Sequence, residues 1–115
     1  MLYLASLIGT YKRLGEEYGI ITIDLVSDTE IHIKGSAHWD NGGIKGPNVG
    51  ELEFNTIINS YTAIFEDSLD ENTITIELIF DNNKLTISEM YSPCKFGYFG
   101  MNVSFAGEYL KTNAV

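Results

Sequence analysis

TITIELIF-DNN-KLTISE, residues 73–89, is the stretch whose reading decides the fold. Ile74, Ile76, Leu78 and Phe80 fall on one side of an extended chain, with Thr75 and Glu77 on the other. A period of two is the mark of a strand with one dry and one wet face. Asp81-Asn82-Asn83 supplies residues that tolerate the positive φ of a tight hairpin turn, and Lys84–Glu89 resumes the alternation. The spacing predicts a β-hairpin, and the same pattern recurs outward from it. Tyr18–Val26, YGIITIDLV, is β-branched and bounded by Gly15 and by Ser27-Asp28. Thr29–Trp39 then sets Ile31, Ile33, Ala37 and Trp39 against Glu30, His32, Lys34, Ser36 and His38. Met101–Lys111 alternates Met101, Val103, Phe105, Gly107 and Tyr109 with Asn102, Ser104, Ala106 and Glu108.

Two stretches fit more than one pattern. In 55–69, Ile57, Ile58, Tyr61, Ile64 and Phe65 have helical spacing with Asn55 as a candidate N-cap. The same residues are rich in strand formers, which favours two strands turning at Asn59-Ser60. In 4–14, Leu4, Leu7, Ile8 and Tyr11 also fit a helix, yet Gly9-Thr10 interrupts them. The expectation is an all-β single domain over 1–115, an antiparallel up-and-down barrel or sandwich of about eight strands with room for one short helix. Closure removes free edges. Gly9-Thr10-Tyr11-Lys12 and Gly107-Glu108-Tyr109-Leu110-Lys111 would suit neighbouring end strands sealed by two stacked tyrosines.

The charge balance narrows the function classes. Across 115 residues, 7 Lys+Arg face 16 Asp+Glu, a net charge of −9. Phosphate binding needs clustered cations, so nucleic acid is a poor partner. A basic protein is a natural one, because opposite fields steer encounter. Cys94 is the lone cysteine, which excludes an intramolecular disulfide and fits a reducing compartment. No run approaches the ~20 apolar residues of a membrane span. The opening MLYLASLIGTYKR has no basic residue ahead of its apolar part, unlike a secretory signal. A cytoplasmic protein is expected, or else a periplasmic or secreted mature form with its signal removed.

No constellation of catalytic residues, metal ligands or cofactor motifs emerges. His32 and His38 share a face but sit ~20 Å apart along a strand, too far for one metal. No serine occupies a Gly-x-Ser-x-Gly setting. Cys94, in SPCKFG, has no histidine near it in sequence. Glu51 and Glu53 lie roughly 7 Å apart on one strand face, within glycosidase range, but nothing else suggests a sugar cleft. EDSLDE, residues 66–71, lacks the Asp/Asn alternation and glycine of a calcium loop. NGGIKGPNVG, residues 41–50, has glycines without the Gly-Lys-Ser/Thr of a phosphate loop. The glycine-rich 40–50 connection is long for a hairpin, and long loops on β scaffolds commonly carry recognition. Trp39 either continues the Ile31–Ile33–Ala37 face as core or stands out as an anchor. The residues expected to bind a partner are Trp39, Asp40, Glu51, Glu53, Tyr61, Glu66, Asp67, Asp70 and Glu71.

Asn48-Val49-Gly50-Glu51 opening a strand, Cys94-Lys95-Phe96-Gly97, and the tail Asn102-Val103-Ser104-Phe105-Ala106-Gly107-Glu108-Tyr109 carry a resemblance. Together they resemble the small bacterial β-barrel domains grouped with lysozyme inhibitors and related lipoproteins, whose tails read Cys-Gly and then Phe-x-Gly-x-Tyr. Gly9-Thr10-Tyr11 is similar to the Gly-x-aromatic start of calycin barrels. Secreted members pair the cysteine before the last strand with one near the strand corresponding to Thr73–Phe80, where this chain has Asn72 and Thr73. That departure shifts the resemblance toward a cytoplasmic immunity protein. It implies a non-enzymatic inhibitor that neutralises a basic target, such as a toxin nuclease or hydrolase, through an acidic face and the 40–50 loop. The alternative is a calycin-like carrier of a small apolar ligand.

Overall fold

Eight antiparallel strands follow one another around a closed barrel, each hydrogen-bonded to its neighbours in chain order. The computed structural model describes residues 4–15, 18–39, 48–93, 98–99 and 103–112. The strands are β1 (Gly9–Arg13), β2 (Gly19–Leu25), β3 (Glu30–Trp39), β4 (Asn48–Asn59), β5 (Thr62–Leu69), β6 (Asn72–Asp81), β7 (Lys84–Ser92) and β8 (Gly107–Lys111). A short 3-10 turn, Leu4–Leu7, precedes β1. Among the described residues, no helix is long and apolar enough to cross a membrane.

The two-residue alternation fills the interior. Tyr11, Ile21, Ile23, Ile31, Ile33, Ile74, Ile76, Leu78, Leu85, Phe105 and Tyr109 are fully enclosed, and Phe54, Phe80, Ile87 and Val103 nearly so. Burying that much branched and aromatic surface is the main source of stability, at about 1.5–3 kcal/mol per large side chain before entropy is charged. Close packing explains two glycines. A Cβ on Gly35 would lie 2.5 Å from Ile21 Cδ1 and 3.0 Å from the Ile20 carbonyl oxygen. One on Gly50 would lie 2.5 Å from the Phe99 carbonyl oxygen, so only glycine lets the chain at Phe99 cross β4 so closely.

Three tight hairpins join β4–β5, β5–β6 and β6–β7, and the first residue of each turn is left-handed: Ser60 (φ 58°), Asp70 (φ 57°) and Asn82 (φ 55°). The 73–89 hairpin forms in the expected register, Phe80 opposite Leu85 and Leu78 opposite Ile87. Residues 55–69 are strand throughout apart from the turn, which centres on Ser60-Tyr61 rather than Asn59-Ser60. Strand propensity and cross-strand burial outweigh the helical spacing there.

The closed barrel replaces the sandwich alternative. β1 and β8 do meet, but Tyr11 pairs with Lys111 and Arg13 with Tyr109, so the tyrosines are two residues out of register and do not stack. Instead the Tyr11 ring meets Phe80 edge-on, and Arg13 lies over the Tyr109 ring. The last strand is shorter than its alternation predicts, starting at Gly107. Residues 103–106 still point Val103 and Phe105 inward without joining a sheet. Leu25, at the end of β2, is 42% exposed. Asp40, most of the 40–50 loop, the side chain of Trp39, and Cys94 lie outside the described residues.

Candidate functional site

Charge is distributed unevenly around the barrel. From Asn48 to Asp81, which is β4, β5 and β6 with their turns, the chain carries half of its acids and no Lys, Arg or His. These are three adjacent staves, so the sequence block becomes one acidic wall. The described cations lie elsewhere. Arg13 donates to Tyr109 Oη (Nη2, 3.0 Å) and to the Ser104 carbonyl oxygen. Lys84 pairs with Glu108 at 2.7 Å, and Lys111 Nζ donates to the Ser6 carbonyl oxygen at 2.8 Å. Several of the protein's cations thus help to close the barrel on the β7–β8–β1 side.

The barrel's two ends sort the expected binding residues. β3 finishes at Trp39, β4 begins at Asn48, and the Asp70-Glu71 turn joins β5 to β6, all at one end. Glu51, Glu53, Glu66 and Asp67 are exposed along the same wall toward that end. Tyr61 sits at the opposite end, in the β4–β5 turn, beside Ser6, Leu7, Asn82 and Asn83 around a groove of about 300 Å³. The structure therefore brings Glu51, Glu53, Glu66, Asp67, Asp70 and Glu71 onto one wall and separates Tyr61 from them.

Within this wall the β4–β5 seam differs from its neighbours. β3 and β4 pair continuously from Glu30↔Ile57 to Trp39↔Asn48, and β5 and β6 from Thr62↔Ile79 to Leu69↔Asn72. β4 and β5 pair only at Ile58↔Ala63 and Asn59↔Thr62, then diverge. Phe54 and Phe65 bridge the divergence on the inside, stacked with ring centroids 3.9 Å apart. Thr56 Oγ1 donates to the Ile64 carbonyl oxygen at 2.8 Å, standing in for a ladder bond. Tyr98 Oη donates to Asp67 Oδ2, joining the chain beyond β7 to the same edge. That hydrogen bond, with one from the Ser68 N–H, holds the Asp67 carboxyl below its ordinary pKa. Burial, reinforced by Asp67, pushes the Tyr98 hydroxyl up to about 12.

Two grooves open on this outer surface. One of about 510 Å³ lies over the closed end of the seam between Thr56, Ile57, Asn59, Ser60, Thr62 and Ile64. Ile57 and Ile64 are 59% and 54% exposed. The other, of about 360 Å³, runs across β2, β3 and β4 over Gly35, between Ile20, Thr22, Lys34 and Ser36 on one side and Glu51 and Glu53 on the other. At its edge His32 is held by Asn55 (Nδ1 to Oδ1, 2.5 Å) and Glu53 (Nε2 to Oε2, 3.0 Å). Sequence periodicity puts His32 on the wet face but cannot supply these partners, which follow from the β3–β4 register.

Sequence reasoning also missed the role of Glu89. It comes from the inward-facing side of β7 and accepts from Tyr91 Oη (2.5 Å), Ser104 Oγ (2.9 Å) and the Phe105 N–H (2.5 Å). A carboxylate breaking an apolar alternation next to a tyrosine was the available signal. Comparison with family models, with curated proteins and with solved structures finds no match to this chain.

Proposed function

We propose that this protein is a non-enzymatic inhibitor that binds a basic target protein, with the β4–β6 wall as its contact surface. The observation that carries this reading is the segregation of charge: eight carboxylates on three adjacent strands and the turns that join them, with no cation among them. Such a field speeds encounter with a cationic surface and discriminates against acidic partners. Exposed Ile57, Ile64 and Leu69 on the same strands add apolar contact, which supplies lifetime once the charges have aligned the partner. The resemblance to inhibitor-like and immunity barrels points the same way, toward a toxin nuclease or hydrolase as target. The carrier alternative is less favoured, because inward positions are occupied by the protein's own side chains and the grooves described above open on the outside.

The test is native mass spectrometry of tagged protein recovered from its own host's lysate at low salt. A basic protein should co-purify and leave at high salt. The Glu66→Lys/Glu71→Lys double variant should weaken its binding at least about tenfold, the loss of roughly 1.4 kcal/mol. Asp24→Lys, on β2, should leave it within about twofold. A partner whose affinity is indifferent to salt and to the double reversal would refute the acidic-wall reading.

A further inference from the structure

Resting on that reading, we propose that the target docks through one extended segment laid along the β4–β5 seam, with cations at alternate positions and an apolar residue at the end nearest the β4–β5 turn. The main-chain geometry comes first. The Phe80 N–H donates to the Tyr61 carbonyl oxygen, so odd-numbered residues of β5 direct their backbone groups at β6. The even-numbered ones, Ile64, Glu66 and Ser68, therefore turn theirs toward the seam. The bond from Thr56 Oγ1 to the Ile64 carbonyl oxygen agrees with that phase. Beyond Ala63, β4 offers this edge no partner in the register. The Ile64 carbonyl is taken by Thr56 Oγ1 and the Ser68 N–H by Asp67 Oδ1, so the positions facing the seam without a strand partner centre on Glu66, and they are a template for an incoming extended chain.

The side chains define what kind of chain fits. Glu51 and Glu53 stand on the β4 bank and Glu66 on the β5 bank, all exposed, in the part of the seam that widens. Ile57 and Ile64 flank its closed end, over the groove of about 510 Å³. Alternate side chains of an added strand point the same way. Lysines or arginines at successive outward positions would meet the carboxylates, and an apolar residue would cover the isoleucines. The inner side of the seam is closed by the Phe54–Phe65 stack and by the Tyr98–Asp67 bond, so docking from outside leaves the core intact.

The probe is a synthetic peptide of about ten residues alternating lysine and valine, titrated into the full-length protein and followed by NMR and amide exchange. Exchange at Ile64 and Glu66 should slow at least tenfold on saturation. Methylating alternate peptide nitrogens, which keeps every charge but removes main-chain donors, should weaken binding about tenfold or more. Ile64→Lys should weaken it as much. Binding unchanged by N-methylation, protection centred instead on Thr22 and Ser36, or no saturation by about 1 mM peptide would each overturn the seam. A basic target that still binds Ile64→Lys normally and is still released by salt would remove the seam while leaving the acidic-wall reading in place.

Discussion

The carboxylate of Asp67 is the point at which a single proton should be felt. It accepts from Tyr98 Oη and from the Ser68 N–H, and both favour its charged form. Because the folded pKa lies below the ordinary aspartate value, the stabilisation is complete above that value. It is lost as the pH falls through the folded pKa. Acidification below about pH 4 should therefore release Tyr98 before the barrel unfolds, read as faster exchange and a shifted ring resonance for Tyr98. Asp67→Asn should remove this acid step and leave Tyr98 loosened at neutral pH as well. An acid step that persists in Asp67→Asn would mean another group governs it.

At the scale of elements, residues 103–106, just before β8, are held by side chains rather than by a ladder. Glu89 takes bonds from Ser104 and the Phe105 N–H, Arg13 from β1 reaches the Ser104 carbonyl, and Phe99 and Phe105 meet edge-on inside. Glu89→Ala strips the acceptor from three donors at once and should cost about 2–3 kcal/mol in urea unfolding. Glu89→Gln keeps one acceptor oxygen and should cost less. Equal losses would show that packing, not hydrogen bonding, sets the value. This clasp was not legible in advance, because it joins residues distant in sequence through one polar side chain. The strands themselves were legible where apolar residues alternate, as in Ile74–Phe80 and Ile31–Ala37. Periodicity overran at 103–106, since Val103 and Phe105 point inward without joining a sheet, while 107–111 is strand as expected. In 55–69 the helical spacing was an accident of a tight turn falling between two short alternating runs.

For the whole molecule, the same charge that favours a basic partner strains the free protein. Eight carboxylates on one wall repel each other, and Arg13, Lys84 and Lys111 are engaged on other strands. Raising sodium chloride to about 0.5 M should raise Tm by a few degrees while weakening the target complex, two opposite responses with one cause. A Tm that falls with salt would mean favourable ion pairs dominate instead. The acidic excess could be counted from sequence, and the described ones among the expected carboxylates, Glu51, Glu53, Glu66, Asp67, Asp70 and Glu71, lie on one wall. Their separation from Tyr61 could not be read, because that depends on which end of the barrel each turn occupies.

Closure of the barrel by β1 and β8 also has a consequence for synthesis. Arg13 and Tyr109, which pair across that joint and hydrogen-bond, are 96 positions apart. At ordinary translation rates about 5–20 s separate their appearance. Throughout that interval the nascent chain holds β1 without β8, and toward its end β7 as well, each exposing a strand edge to other chains. The ribosome-bound stage, rather than the finished protein, is where a trapping chaperone or rapid completion of the last strand matters most to yield.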